Sequence, residues 1–476
     1  MKGAGTSVLL LCFLMSVLLS ACGNPASGAA NELDGTASLT KYYTYGAFFQ
    51  AEGTVDLNDT DLTTKGLSKA ALQLRTGSGE EDRWSFDIPF SVSKKKLKFR
   101  TAKHIDEGLC LDTLETGTLT FGSSDKLDEG LCLDTLPKGD YVALLETVYD
   151  TGDIHLWGLK DGTGRKGKDP EAPIDYYTLP YRHGRRHVTT EFQSFGDLMT
   201  LVFHIKRSRL PSDIYDIVVD PGHGGKDPGA QSGGYRESDV VLDIGKKLAD
   251  ALESAGYKVL LTRDGTEDPN VNMAYTEYDK DGRVNLTCGS RAKLALSLHL
   301  NYNAHSNQNG VQIYRANKAG NDYAKALADA LVDATALEYS TMGGRSTQGV
   351  YVKTFTNGDI REAQSKARKK GYTFYNISTS TDYYFMVREY GCIATGAYVD
   401  GRNPDYGTNE YRNYHQGVES CLCELGFLSK EHDRQVLLND QRGIARALTR
   451  AVDDYIAALH ENQGPQTADL LAKETL

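Results

Sequence analysis

No CxxC pair occurs in this chain of 476 residues. Structural zinc sites built on thiolates show pairs spaced by about two to four residues, so a zinc finger is disfavoured. Basic charge is also short: 53 Lys and Arg against 64 Asp and Glu leave a formal charge of −11. Phosphate-backbone affinity needs clustered Lys and Arg, so general nucleic-acid or polyanion binding is excluded. The one short basic stretch, Arg182, His183, Arg185, Arg186 and His187, reads as a solvated loop. Beyond the first 22 residues no apolar run approaches the roughly 20 residues that cross a bilayer. What is present is enough to fold: 40% apolar residues, with 14 Phe and 28 Tyr, argue against wholesale disorder, and the length suggests two globular units.

Residues 1–22 follow the plan of a secretory leader: a positive start at Met1 and Lys2, an apolar run from Val8 to Leu19, then small residues. Leu19-Ser20-Ala21-Cys22 resembles the lipobox of bacterial lipoproteins, which implies cleavage before Cys22 and lipid attachment to its sulfur. Residues 23–39 begin small and polar and read as a flexible linker. The chain is therefore expected outside the cytoplasm, lipid-anchored to the outer face of a bacterial cell membrane, or secreted if Cys22 is not lipidated. Outside the leader and Cys22 six cysteines remain. Cys421 and Cys423 sit in an apolar run and read as buried thiols, and a Cys110–Cys132 pair is left open.

From residue 40 to 207 strand-like runs recur between turn residues, at Tyr42–Gln50, Trp84–Val92, Leu97–Thr101, Tyr141–Tyr149 and Leu198–Ile205. This spacing predicts an all-β, sandwich-like domain with a structural or wall-contact role. Asp106–Leu114 recurs identically as Asp128–Leu136. Two copies are too few for a solenoid, and they read as a duplicated turn-and-strand element.

Residues 213–461 change character, alternating strands and helices. The strands are Ile214–Asp220, Lys258–Thr262, Lys293–Leu300, Gly310–Tyr314 and Val418–Gly426; the helices are Ser238–Ser254, Asp322–Ala336 and Arg442–His460. The alternation predicts an α/β domain with a mostly parallel sheet flanked by helices. Residues 462–476 read as a loose tail.

Three residues in this half fall where parallel sheets gather function, at the carboxyl ends of strands. His223 lies in the glycine-rich loop Asp220-Pro221-Gly222-His223-Gly224-Gly225, Glu237 opens a helix, and His299 ends the run Leu294–Leu298. A phosphate cradle is the competing reading of the loop, but the Gly-Lys-Ser/Thr signature is missing. Two imidazoles and a carboxylate form a known catalytic zinc set that leaves a fourth position for water. One Zn2+ per chain is expected.

These residues, with Arg236-Glu237, Leu261-Thr262-Arg263, Ser297-Leu298-His299-Leu300-Asn301 and Glu424-Leu425-Gly426-Phe427-Leu428-Ser429, strongly resemble the zinc-dependent N-acetylmuramoyl-L-alanine amidases. The resemblance covers about residues 214–460. It implies His223, Glu237 and His299 as zinc ligands, Glu424 as the catalytic acid–base, and peptidoglycan as the partner. Arg263, Arg283, Asn301 and Tyr398 are the candidate substrate contacts, Tyr398 because it lies in a tyrosine-rich segment between Gln348 and Gln416 whose rings could hold sugars or pack on themselves. Cys288, Lys293 and Ser238 depart from the family pattern without removing a ligand. A non-cutting wall-binding lipoprotein and a zinc carboxypeptidase acting on stem peptides remain alternatives.

Overall fold

The computed structural model describes residues 33–57, 62, 64–76, 83–97, 114–163, 174–181, 184–195, 198–273, 276–277, 279, 281–304, 308–340, 348–371, 377–391 and 416–461. Cys22 and the leader, Cys110, the first copy of the repeat up to residue 113, Arg182 and His183, Tyr398 with most of the tyrosine-rich segment, and the tail lie outside the described residues. No helix among the described residues is long and apolar enough to cross a membrane.

The N-terminal domain is all β, as its turn spacing predicts, but it is one branched sheet folded over a single core. Strand Gly139–Tyr149 is the branch point. One of its edges pairs with Leu67–Thr76, and the other is shared between Leu198–Arg207 and Ile154–Asp161. The fold-over brings Phe49 edge-on to Phe203, their ring centroids 5.2 Å apart.

Two expected strands are each broken by a backbone constraint. The predicted strand Tyr42–Gln50 is a hairpin, Gly35–Tyr45 and Phe48–Asp56, turning at Gly46 with φ 55°. Glycine occupies that left-handed region without a Cβ penalty. The predicted strand Trp84–Val92 breaks at Ile88-Pro89 into Arg83–Asp87 and Phe90–Leu97, because Pro89 has no N–H to give a ladder. The expected linker also ends early: residues 35–39 pair in parallel with Ile154–Asp161, and Ala37 and Leu39 are fully buried. Small, polar neighbours hid that strand in the sequence.

In the C-terminal domain the six strands lie in the order Val259–Leu261, Ile217–Pro221, Leu294–Asn301, Glu419–Phe427, Gln312–Tyr314, Val350–Tyr351. The first four are mutually parallel, and Gln312–Tyr314 runs against Glu419–Phe427. Helix Glu237–Ser254 buries Val241, Ile244, Leu248 and Leu252, the stripe expected of a 3.6-residue period, against one face of the sheet. Helices Asp322–Ala334 and Gln441–Glu461 cover the same face. The other face packs on helices Arg283–Gly289 and Phe385–Tyr390 and also on Tyr43, Tyr45 and Leu127 of the β-rich domain. The two domains are therefore joined by a shared core. Cys421 and Cys423 are buried free thiols as expected, Cys132 is one too, and Cys288 is buried.

The basic stretch departs from its expectation. Arg185 and Arg186 do not form a solvated loop: Arg186 begins a strand and is 5% exposed, and Arg185 reaches Asp216 of the other domain. A charge run is solvated only when no buried countercharge faces it, and this one meets a buried carboxylate.

Candidate metal centre

The centre is assembled at the carboxyl ends of neighbouring strands. His223 follows Ile217–Pro221, His299 is in Leu294–Asn301, and Glu237 is the first residue of its helix. The Nε2 of His223 lies 3.0 Å from Oε1 of Glu237, and the Nδ1 of His299 lies 3.2 Å from both that oxygen and His223 Nε2. A tetrahedral ion with bonds of about 2.0 to 2.1 Å would set its ligand atoms about 3.3 Å apart. The three atoms already form a triangle of that size, so donor types and spacing both fit zinc.

Local backbone geometry explains the glycine-rich loop. His223 has φ 63°, a region few non-glycine residues adopt and one typical of functional sites. A Cβ on Gly222 would come within 2.3 to 2.7 Å of three ring atoms of His299, and one on Gly229 would lie 2.5 Å from Glu237 Oε2. Both glycines are required by close approach. The Glu237 carboxylate is aimed by backbone N–H groups: Ala230 N donates to Oε2 at 2.7 Å and Leu300 N to Oε1 at 2.8 Å.

Asp227 stands behind His223 on the side away from the converging atoms, and the sequence reading passed over it. Its Oδ2 lies 2.8 Å from His223 Nδ1 while its Oδ1 accepts from Gly229 N at 3.1 Å. A carboxylate on the far nitrogen fixes an imidazole's tautomer and orientation toward a metal. The signal was present as an acid four residues after the histidine within the same loop.

Burial disfavours charge on His223, but the Asp227 and Glu237 carboxylates outweigh it and raise the imidazole to about 9. Burial would raise Glu237, and the two imidazoles instead hold it below the usual carboxylate range. For His299 burial wins and the imidazole is lowered. The triad thus holds proton charge among atoms that converge on one point, and a divalent cation there would replace it.

Glu424 stands on the neighbouring strand with its Cα directly opposite His299. It is not one of the three converging ligands, and its Oε2 is buried without a hydrogen-bond partner. Burial, reinforced by Glu237, pushes its carboxyl up to about 8, with His223 and Lys353 working the other way.

Arg263 and Arg283 are buried and not open to a substrate. They are 5% and 4% exposed and lie under the loop. Arg263 donates to the carbonyls of Pro221 (2.8 Å), Gly222 (2.9 Å) and Ser238 (2.6 Å). Arg283 donates to His223 O at 2.6 Å and to Asp220 Oδ1 at 3.0 Å. Asp220 is fully buried and also accepts from Thr262, Ser297 and Tyr390 hydroxyls at 2.7 to 2.8 Å. Both guanidinium groups are used to satisfy a loop whose carbonyls have few ladder partners, which is the physical reason they are buried. Asn301 donates to Gln312 Oε1 at 2.8 Å and accepts from Tyr302 N at 2.9 Å. Cys288 contacts Glu389 O, and Lys293 lies at the opposite end of its strand from His299.

The family model described as N-acetylmuramoyl-L-alanine amidase (Amidase_3) matches residues 217–362. Residues 217–362 are thus similar to this amidase family. Similar proteins include the germination-specific N-acetylmuramoyl-L-alanine amidase of Bacillus subtilis (strain 168), 34% identical over 150 residues, which is 30% of this chain and 62% of that protein. N-acetylmuramoyl-L-alanine amidase AmiC of Neisseria meningitidis serogroup B is 34% identical over 134 residues, 28% of this chain and 29% of that one. The chain thus spans under two thirds of the length of either relative. The solved structure of amidase AmiC2 of Nostoc punctiforme is similar at 22% identity and a TM-score of 0.33, covering 52% of this chain and 98% of that chain. The matched residues begin only after the β-rich domain, which the family match does not reach.

Proposed function

We propose that the chain is a zinc-dependent peptidoglycan hydrolase that cuts the amide between N-acetylmuramic acid and the L-alanine of the stem peptide. One observation carries this reading: His223 Nε2, His299 Nδ1 and Glu237 Oε1 converge at zinc-ligand spacing beside the unpaired Glu424 carboxylate. The family match and the printed activities of the similar proteins support the choice of amide. His223, His299 and Glu237 would hold the ion, with Asp227 orienting His223.

When bound, zinc polarises the amide carbonyl and acidifies water enough for attack near neutral pH. Glu424, placed on the adjacent strand and free of other hydrogen bonds at Oε2, takes the proton of the attacking water. It then returns that proton to the amide nitrogen, which leaves poorly without it. The apolar surroundings that raise its carboxyl also make it a competent acid in the second half of the reaction. Arg263 and Arg283 hold the loop so that His223 keeps its position.

The Leu19–Cys22 motif supports a lipid anchor and action outside the cytoplasm. The test is mass spectrometry of digested peptidoglycan. The amidase releases stem peptides beginning at L-Ala and leaves glycan strands intact. No release points to a wall binder, and stems shortened at the carboxyl end point to a carboxypeptidase. Glu424→Gln retains the shape of the side chain and removes the base, so zinc should stay near one per chain while turnover falls about 10² to 10⁴-fold.

A further inference from the structure

Three buried charged residues stand side by side at the roots of the strands that lead to the candidate centre. Lys293 N donates to Asp216 O and Glu419 N donates to Lys293 O, each at 2.9 Å. Asp216, Lys293 and Glu419 are 0%, 1% and 3% exposed. Farther along the same three chain segments lie His223, His299 and Glu424.

Within the C-terminal domain this row is compensated only in part, by attraction between Lys293 and Asp216. Lys293 Nζ donates to Arg291 O at 3.3 Å, Asp216 accepts from Lys258 N at 2.7 Å, and Glu419 accepts from Tyr455 OH at 2.9 Å. The β-rich domain supplies further partners to two of the three, while its Asp128 adds a like charge near Glu419. The Arg185 guanidinium grips both oxygens of Asp216, its Nη2 lying 2.5 Å from Oδ2. The Lys293 ammonium lies over the Tyr176 ring, 5.2 Å from its centroid, and is drawn electrostatically first to Asp216 and then to Asp134. Asp134 is itself held by Tyr176 OH at 2.8 Å and Leu179 N at 3.2 Å. The hairpin turn closes over the third root: Gly46 N donates to Gly417 O at 2.9 Å, and Thr44 and Tyr45 pair with Gln416 and Gly417. A Cβ on Gly46 would lie 3.0 Å from Glu419 Cβ. Asp134 belongs to the second copy of the nine-residue repeat, so the element that looked like a bare duplication carries an interface charge.

We propose that the β-rich domain is a positioning partner of the catalytic strands, with Arg185, Asp134 and Tyr176 fixing the roots of the segments that carry His223, His299 and Glu424. Buried ion pairs are weak sources of net stability, and their best-attested use is to set register. Here register matters: a slip of one residue shifts a strand by about 3.3 Å and turns every side chain to the other face. The three functional groups come from separate strands, so an anchor shared at the roots adds to the ladder bonds in keeping their tips at fixed mutual distances. Arg185, Asp134 and Tyr176 touch no substrate and act through the strands.

The proposal uses the amidase reading for its assay but not for its contacts. In the full chain, Arg185→Ala and Asp134→Asn should fold with parental circular dichroism, lower kcat about tenfold, and leave KM within twofold. Arg185→Lys should restore most of the lost kcat. Parental kcat in folded Arg185→Ala and Asp134→Asn would overturn the proposal. If these variants do not fold, the parent is given a protease site between Arg209 and Leu210 and cut after folding. Halves that stay together with parental kcat, or that lose turnover when separated, support positioning; a separated C-terminal half with parental kcat refutes it. If the unaltered chain releases no stem peptide, the amidase reading fails, and the same variants are read by zinc affinity. A tenfold loss in Arg185→Ala then supports positioning, and an unchanged affinity overturns it.

Discussion

Asp227→Ala removes the acceptor that lies 2.8 Å from His223 Nδ1 and leaves Gly229 N without its 3.1 Å partner. His223 already occupies an uncommon backbone region at φ 63°, so its ring direction depends on this contact more than that of a strand residue would. Loss of a carboxylate that orients a ligating histidine typically weakens metal binding by about 10 to 100-fold, or roughly 1.4 to 2.7 kcal/mol. The upper half of that range is expected, because the same carboxylate also pins the loop over Glu237. Competition against a chromophoric chelator at neutral pH measures the zinc dissociation constant directly. Asp227→Asn keeps an acceptor oxygen but no charge, and should lose less than the alanine variant. An Asp227→Ala protein with parental circular dichroism and zinc affinity within twofold of the parent would refute the assignment of Asp227 as the orienting group.

Gly222→Ala would press a methyl group to within 2.3 Å of the His299 ring, so zinc content should fall while the helices persist; a fully loaded variant would show that the ring can yield. In chelator-treated protein Glu424 titrates near 8, above its ordinary value, so the folded state holds a proton that the unfolded state releases between about pH 4.5 and 8. Folding stability should therefore decline as pH rises through that window, by about 5 kcal/mol, and Glu424→Gln should flatten the curve; urea titrations with parallel pH profiles for both proteins would contradict this. Cys22→Ala should move the protein from the membrane to the soluble fraction or leave uncut precursor, and unchanged membrane partition would dismiss lipid attachment at that sulfur.

Local pattern made the C-terminal domain legible. A run of apolar residues ending in His299, a glycine loop around His223 and an acid opening a periodic helix each point to one place once strands and helices alternate, because parallel strands deliver their ends to a common edge. The same logic failed wherever a residue's role depended on what packs against it. Arg263 and Arg283 have the composition of substrate clamps, yet they are spent on loop carbonyls that only the folded chain brings to them. Ile88-Pro89 and Gly46 broke strands whose hydrophobic pattern ran straight through, since a missing N–H and a positive φ act on the backbone and leave that pattern unchanged.

The sequence by itself determined the alternation of strands and helices in the C-terminal half and the candidate positions His223, Glu237 and His299, since these follow from spacing along a single strand, loop or helix, while Glu424 came from the family resemblance. Only the tertiary structure decided which face of which strand those groups share, that Asp227 orients His223, and that Arg185 and Asp134 meet the roots of the sheet. Such pairings join residues far apart in the chain, and the choice of partner for a buried charge is made by the long-range packing that excludes water from it.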